Sequence, residues 1–270
     1  MIYKDFISLS LREAANISTA SLGMVTAEIK GTDHNQVLTQ TDIKIGTLLV
    51  SRIKDAFPGH NIIDEESGVI DKKSSYTWVV DPIDGTSNFA NGLPMYGIML
   101  GLLESDTPIA GGVILPAFKE FYYAEKGNGA YCNDKKIKVT QETNLLNCLA
   151  VYAIDAHQES PDITSKECLL LRDMVLHIRN YRVSNCCFDQ MMVAKGKYAA
   201  WLNRTSMIWD NVAPQIIIEE AGGMYTDFIG RKIDYTHPIT KVDKNFTVCA
   251  APNVLHRTLQ KIIQKHSFVS

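Results

Sequence analysis

The sequence predicts an α+β protein, with two N-terminal helices laid over an antiparallel sheet and a second half in which strands and helices alternate. Three observations predict it. Apolar residues recur at helical spacing through residues 2 to 53. Short apolar strands then follow one another from residue 61 to residue 140, with turn signals between them. Beyond that point strands and helical segments alternate, apart from two successive strands at 224–227 and 246–250. The pattern divides the chain into 1–140 and 141–270, a change of layer rather than a linker.

Residues 2 to 28 form the first helical segment, with Ile2, Phe6, Leu9, Glu13, Ile17, Ala20, Met24 and Ala27 on one face and residues 30–33 ending it. Residues 37 to 42 enter a second helix, which buries Ile45, Leu48, Leu49 and Ile53 and stops at Pro58-Gly59. Asn61-Ile62-Ile63 is a short strand. Trp78-Val79-Val80 leads a second one, expected to end at Pro82, which has no N–H to give a ladder. Strands follow at 95–103, 109–115, 121–124, 130–132 and 136–140, and Gly127-Asn128-Gly129 marks a hairpin. In the second half, strands are expected at 148–154, 181–183, 198–202, 224–227 and 246–250. Helices are expected at 166–177, 188–195, 210–221 and 253–265, with 155–165 a polar loop.

Composition excludes several classes of function. A net charge of −3 gives no bulk attraction to nucleic acid or an anionic membrane. No apolar run approaches the roughly 18 residues a membrane span needs. The N-terminus lacks a basic stretch followed by an apolar core, so no signal peptide is expected. Six scattered cysteines without a C-x-x-C pair point to reduced thiols and a cytoplasmic setting rather than a zinc site.

The chemistry concentrates in acids. Asp81 and Asp84 project from the stiff turn Asp81-Pro82-Ile83-Asp84-Gly85-Thr86. Gly85 permits close approach of a ligand, and the N–H groups of Gly85, Thr86 and Ser87 suit phosphate oxygens if they begin a helix. Asp64-Glu65-Glu66 ends the preceding strand. If the two strands are neighbours their acids meet, and their repulsion calls for a divalent cation. Read alone, these acids are also compatible with a solvated turn and loop. Asp42 and Asp210 each sit where a helix start wants a carboxylate, so both have a capping reading as well. Pro214 is tolerable only near the start of the helix expected at 210–221.

Three blocks, Asp64-Glu65-Glu66-Ser67-Gly68, Trp78 to Phe89 and Trp209-Asp210 through Gly223, together resemble the inositol monophosphatase family of magnesium-dependent phosphatases over nearly the whole chain. The resemblance implies a layered α-β-α-β-α sandwich, a homodimer, inhibition by lithium and two or three Mg2+ ions per site. It implies that Glu65, Asp81 and the Ile83 carbonyl hold one ion, and that Asp81, Asp84 and Asp210 hold another. A third, weaker ion is implied near Glu65, with Glu66 its neighbour. Asp42 would hydrogen-bond Thr86 and the pair would position the attacking water, so Thr86, Asp42 and Glu65 are the implied catalytic residues. The substrate would touch Asp84, Gly85, Thr86, Ser87, Ser184, Asn185, Asn203, Arg204 and Asp210.

The match weakens on the substrate side. The family usually has Gly, Ser or Thr, Ala, Ala where this chain has Ser184-Asn185-Cys186-Cys187, and inositol-selective members have a glutamate where Asn203 stands. Arg204 reads either as a contact to a second anionic group or as a solvated arginine. Cys186-Cys187 reads as buried small residues in preference to a redox pair. The leading expectation is a phosphomonoesterase for myo-inositol monophosphate or a related polyol or sugar phosphate. The alternatives are fructose 1,6-bisphosphate, 3′-phosphoadenosine 5′-phosphate or histidinol phosphate as substrate, or a regulatory binding protein.

Overall fold

The computed structural model describes residues 2–30 and 37–266. Helix α1 (Lys4–Thr19) is shorter than its pattern, and the residues expected to end it, 31–33, lie outside the described ones. Thr19 and Ser21 turn their hydroxyls back onto the carbonyls of Ala15 and Ile17, and Gly23 takes φ 68°, which ends the helical run early. The buried face is also displaced from the expected one. Ile7, Leu11, Ala14 and Ala15 are buried, whereas Ile2 and Leu9 are exposed. The small residues let the helix sit close to the sheet. Two short strands, β1 (Glu28–Ile29) and β2 (Val37–Leu38), pair with each other and lead to α2 (Gln40–Ala56).

The first large sheet contains β3 (Asn61–Asp64), β4 (Gly68–Ile70), β5 (Tyr76–Asp84), β6 (Gly97–Glu104), β7 (Thr107–Leu115), β8 (Glu120–Glu125), β9 (Ala130–Cys132) and β10 (Lys135–Lys136). Its order is β10-β9-β8-β7-β6-β5-β3-β4. All pairs are antiparallel except β3 with β5, which run parallel with Asp64 opposite Val80. Parallel neighbours end at the same edge, so both acid runs arrive together. Helix α3 (Thr86–Ala90) follows β5 directly. The strand expected at 136–140 is only a two-residue edge; Ile137 still donates its N–H to the Ala130 carbonyl at 2.9 Å, and Val139 turns to the Ala221 carbonyl and packs on the core between the sheets.

The second sheet has the order β12-β11-β13-β15-β14, from β11 (Leu149–Ala153), β12 (Asn180–Tyr181), β13 (Ala200–Ser206), β14 (Gly223–Thr226) and β15 (Phe246–Pro252). Helix α4 (Pro161–Val175) starts earlier than expected, with Pro161 in its first turn where no N–H is missed. Helices α5 (Cys187–Ala194) and α6 (Ile208–Glu220) lie between the two sheets, and α7 (Asn253–Ile263) packs with α4 on the outer face of the second. The layers therefore run α1/α2, sheet, α5/α6, sheet, α4/α7, with three apolar clusters filling the gaps. This is the layered sandwich the resemblance implied.

Helix α6 fits against the first sheet because β7 offers Gly111 beneath it. A Cβ there would lie 2.7 Å from Ile216 and 2.8 Å from the Ala213 Cα. That close seat carries the start of α6 to the edge where β3 and β5 end.

Candidate active site

The edge where β3 and β5 end, the N-terminus of α6 and the turn before α5 enclose one cavity. Strand β5 does not stop at Pro82 as expected. It continues to Asp84, and the register against β6 shifts between Asp81 and Asp84, so the proline falls where the ladder is already interrupted. That irregularity turns both carboxylates toward the cavity. Gly85 follows at φ 86°, a left-handed position, and a Cβ on it would lie 2.9 Å from the Cys186 Cβ. The backbone then starts α3 with Thr86 and Ser87 lining the cavity.

Asp210 reaches the same place from α6. It is the third residue of the helix rather than its cap, and its Oδ2 accepts the Met207 N–H at 2.6 Å. The capping and cavity readings thus coexist in one carboxylate. Pro214 lies deeper than the first turn and has no N–H for the Asp210 carbonyl. The Gln190 Nε2 of α5 donates to that carbonyl instead, at 3.2 Å. Oxygens of Asp81, Asp84 and Asp210 lie within 4.8 Å of one another.

Each of these acids is pushed up by burial first and by its neighbours next. Asp81 is raised well above the carboxylate range by burial, then by Glu65, Asp84 and Asp210. Asp210 is raised by burial and by Asp84. Asp84 is raised to about 6, mainly by burial, although the Cys187 N–H donates to it. Asp81 Oδ1 has no hydrogen-bond partner among the described residues. Converging hard oxygens on buried and half-buried acids, with an unpaired acceptor on Asp81, are the donor set a divalent cation such as Mg2+ takes, so the residues fit the metal.

Glu65 lines the cavity outside this trio. Its carboxylate and that of Glu66 hold the Lys30 Nζ, at 2.8 and 2.6 Å. Burial still raises Glu65 to about 7, against the pull of Lys30. Asp42 stands behind the cavity wall and does not line it. Its Oδ1 is 3.2 Å from the Thr86 Oγ1, and its Oδ2 accepts from the Thr39 N–H at 2.9 Å and from the Thr39 hydroxyl. The Thr86 hydroxyl also reaches the Ile83 carbonyl at 2.8 Å, but it has one proton to give. The Ile83 oxygen is the nearer acceptor, and donation to Asp42 instead would free it.

The opposite wall holds Ser184, Asn185 and Asn203. Arg204 is absent from the cavity lining. Neighbouring residues of a strand face opposite ways, and the Arg204 charge acts on Tyr152 and Glu167 on the other side of β13. Cys186 and Cys187 are buried thiols, pushed up by burial and by Asp84, which fits packing rather than redox chemistry.

Residues not singled out in the sequence also shape the site. Asp155 and Thr205 line the cavity. Asp189 accepts the N–H groups of Ser184 and Asn185 at 2.7 and 3.0 Å and so fixes their turn. A signal for Asp155 exists: it ends an apolar strand as Asp81 does. Lys30 and Asp189 have no such signal.

The fold and this acid cluster define a metal-dependent phosphomonoesterase. The chain belongs to the inositol monophosphatase family, whose model matches residues 7–267 and whose phosphatases depend on Mg2+. It is 30% identical to a fructose-1,6-bisphosphatase/inositol-1-monophosphatase of Thermotoga maritima, over 97% of this chain and 95% of that one. It is 31% identical to a putative Nus factor SuhB of Neisseria meningitidis, over 86% of each. An IMPase structure from Thermotoga maritima superimposes with a TM-score of 0.85 at 28% identity, covering 98% of both chains.

Proposed function

We propose that the chain hydrolyses the monophosphate ester of myo-inositol or of a related polyol or sugar. Asp81, Asp84 and Asp210 would hold Mg2+, with Glu65 and the Ile83 carbonyl completing a second position and a third ion near Glu65. The observation that carries this reading is the meeting of the buried Asp81, whose Oδ1 is unpartnered, with the half-buried carboxylates of Asp84 and Asp210. When bound, Mg2+ compensates the acids, lowers the pKa of water and steadies charge on the leaving oxygen.

The chain's own residues supply the rest. The N–H groups of Gly85, Thr86 and Ser87, at the start of α3, receive phosphate oxygens. The Thr86 oxygen, its proton given to Asp42, accepts a hydrogen bond from the attacking water and orients it toward phosphorus. Water's oxygen bonds to phosphorus as the ester P–O bond breaks, one proton of that water ends on the departing oxygen, and the alcohol leaves toward Ser184, Asn185 and Asn203. The same reading includes a homodimer, lithium inhibition and a cytoplasmic setting. The unpaired cysteines support that setting, and no helix among the described residues is long and apolar enough to cross a membrane.

Similarity to a protein named as a Nus factor supports a second reading, action through a protein partner. The buried acid set favours turnover, because a binding role alone gains nothing from their repulsion. The test is phosphate release from a panel of esters, with Mg2+ and with chelator. Release from a polyol monophosphate only when Mg2+ is present is expected. No release from any ester would leave the partner reading standing.

A further inference from the structure

We propose that Asp155 selects the alcohol half of the substrate. Its carboxylate accepts hydrogen bonds from hydroxyls of a neutral polyol and its charge turns away esters with a second phosphate. This rests on the phosphatase reading and narrows its substrate class.

Asp155 follows β11 closely. Strand β11 pairs with β13 in parallel, Ala153 opposite Asn203, which brings Asp155 across from Thr205. Its Oδ2 accepts from the Thr205 Oγ1 at 2.6 Å and its Oδ1 from the Asn185 Nδ2 at 2.9 Å. Each carboxylate oxygen accepts two hydrogen bonds, so one site on each remains for a ligand. Asp155 is half-buried and opens onto the cavity outside the acid trio, near enough for its charge to add to what raises Asp210. Around it are the neutral groups of Ser184, Asn185, Asn203 and Thr205. No lysine, arginine or histidine lines the cavity among the described residues. A second phosphate would therefore meet a carboxylate and find no fixed cation, while a ring hydroxyl would find charged and amide acceptors.

Asp155 also holds Asn185 and Thr205, and the test must separate charge from scaffolding. The side-chain amide introduced by D155N can still bond both neighbours, whereas Asp155→Glu keeps the charge. Steady-state constants for myo-inositol 1-phosphate and fructose 1,6-bisphosphate, and inhibition by inorganic phosphate, are measured with Mg2+ in each. In D155N the KM for the monophosphate is expected to rise about tenfold with kcat little changed. The KM for the bisphosphate should fall about tenfold and phosphate inhibition should shift by less than about twofold. Asp155→Glu should keep the discrimination against the bisphosphate. Equal shifts for both esters, or none, would overturn the role of Asp155 alone. No hydrolysis of either ester by the unaltered chain would overturn the phosphatase reading, and this inference with it.

Discussion

The two walls of the cavity are built on opposite electrostatic terms. On one side the carboxylates of Asp81, Asp84 and Asp210 converge, each raised by burial and by nearby acids, with an oxygen of Asp81 left unpartnered. On the other, Asp155 is half-exposed and accepts from Asn185 and Thr205, while Asn203 accepts from the Thr205 N–H at 2.7 Å. The first wall is complete only with a cation. The second is satisfied by its own chain and keeps spare acceptors. Reaction and recognition are therefore carried by different walls. One wall concentrates charge for phosphoryl transfer, and the other spreads modest polarity for an alcohol.

The largest expected effect comes from breaking the first wall. Asp81→Asn should lower kcat/KM by about 10³-fold or more, because an acid central to the charged set is lost. The same change should stabilise the metal-free protein, by about 1 kcal/mol in a urea titration with chelator, since it removes one of the repelling charges. Loss of stability together with unchanged activity would make Asp81 a structural acid.

Gly85 is where the two walls touch. Gly85→Ala adds a Cβ that meets Cys186 across the cavity and strains a backbone at φ 86°. A loss of about 1–3 kcal/mol is expected in urea unfolding, with reduced activity. A neutral result would mean that the turn before α5 shifts freely relative to β5.

A smaller effect is expected in the pH dependence of stability. Glu65 and Asp84 have folded values raised to about 7 and about 6, above their ordinary 4.5 and 3.8. Acids raised in this way favour folding while protonated, so their contribution is present below pH 4 to 4.5 and is lost as pH rises through about 6 and 7. The melting temperature of the chelated protein should fall across that window. Saturating Mg2+ should remove the fall, opening a gap of roughly 5 °C by about pH 7.5. A gap independent of pH would show that other groups hold the metal.

The first wall was legible in the sequence because its residues lie on short stiff segments. Asp-Pro-x-Asp-Gly-Thr ends a strand, Asp64-Glu65-Glu66 ends the neighbouring one, and Asp210 begins an apolar helix. Most elements were legible for the same reason, as apolar periods bounded by turn residues, whereas the layer order was implied only by the family resemblance. The face of α1 was not, because Ala14, Ala15 and Ser18 are buried where larger residues nearby suggested another stripe. The extension of β5 through Pro82 was hidden because a register shift is a property of the pair of strands, not of one. The second wall was hardest to read. Asp155, Asn185 and Thr205 come from separate elements and meet only through sheet pairing, and the facing of Arg204 depends on the phase of β13. Lys30 lies far in sequence from Glu65 and Glu66, and nothing local announces their ion pairs.

The central claim is that acids from distant parts of the chain converge on divalent cations. The most direct measurement is a calorimetric titration of Mg2+ into metal-free protein, unaltered and as Asp210→Asn. Saturable binding to the unaltered chain, weakened at least about tenfold in Asp210→Asn, is the result this account predicts. Equal binding by the two proteins, or no binding by the unaltered one, would contradict it.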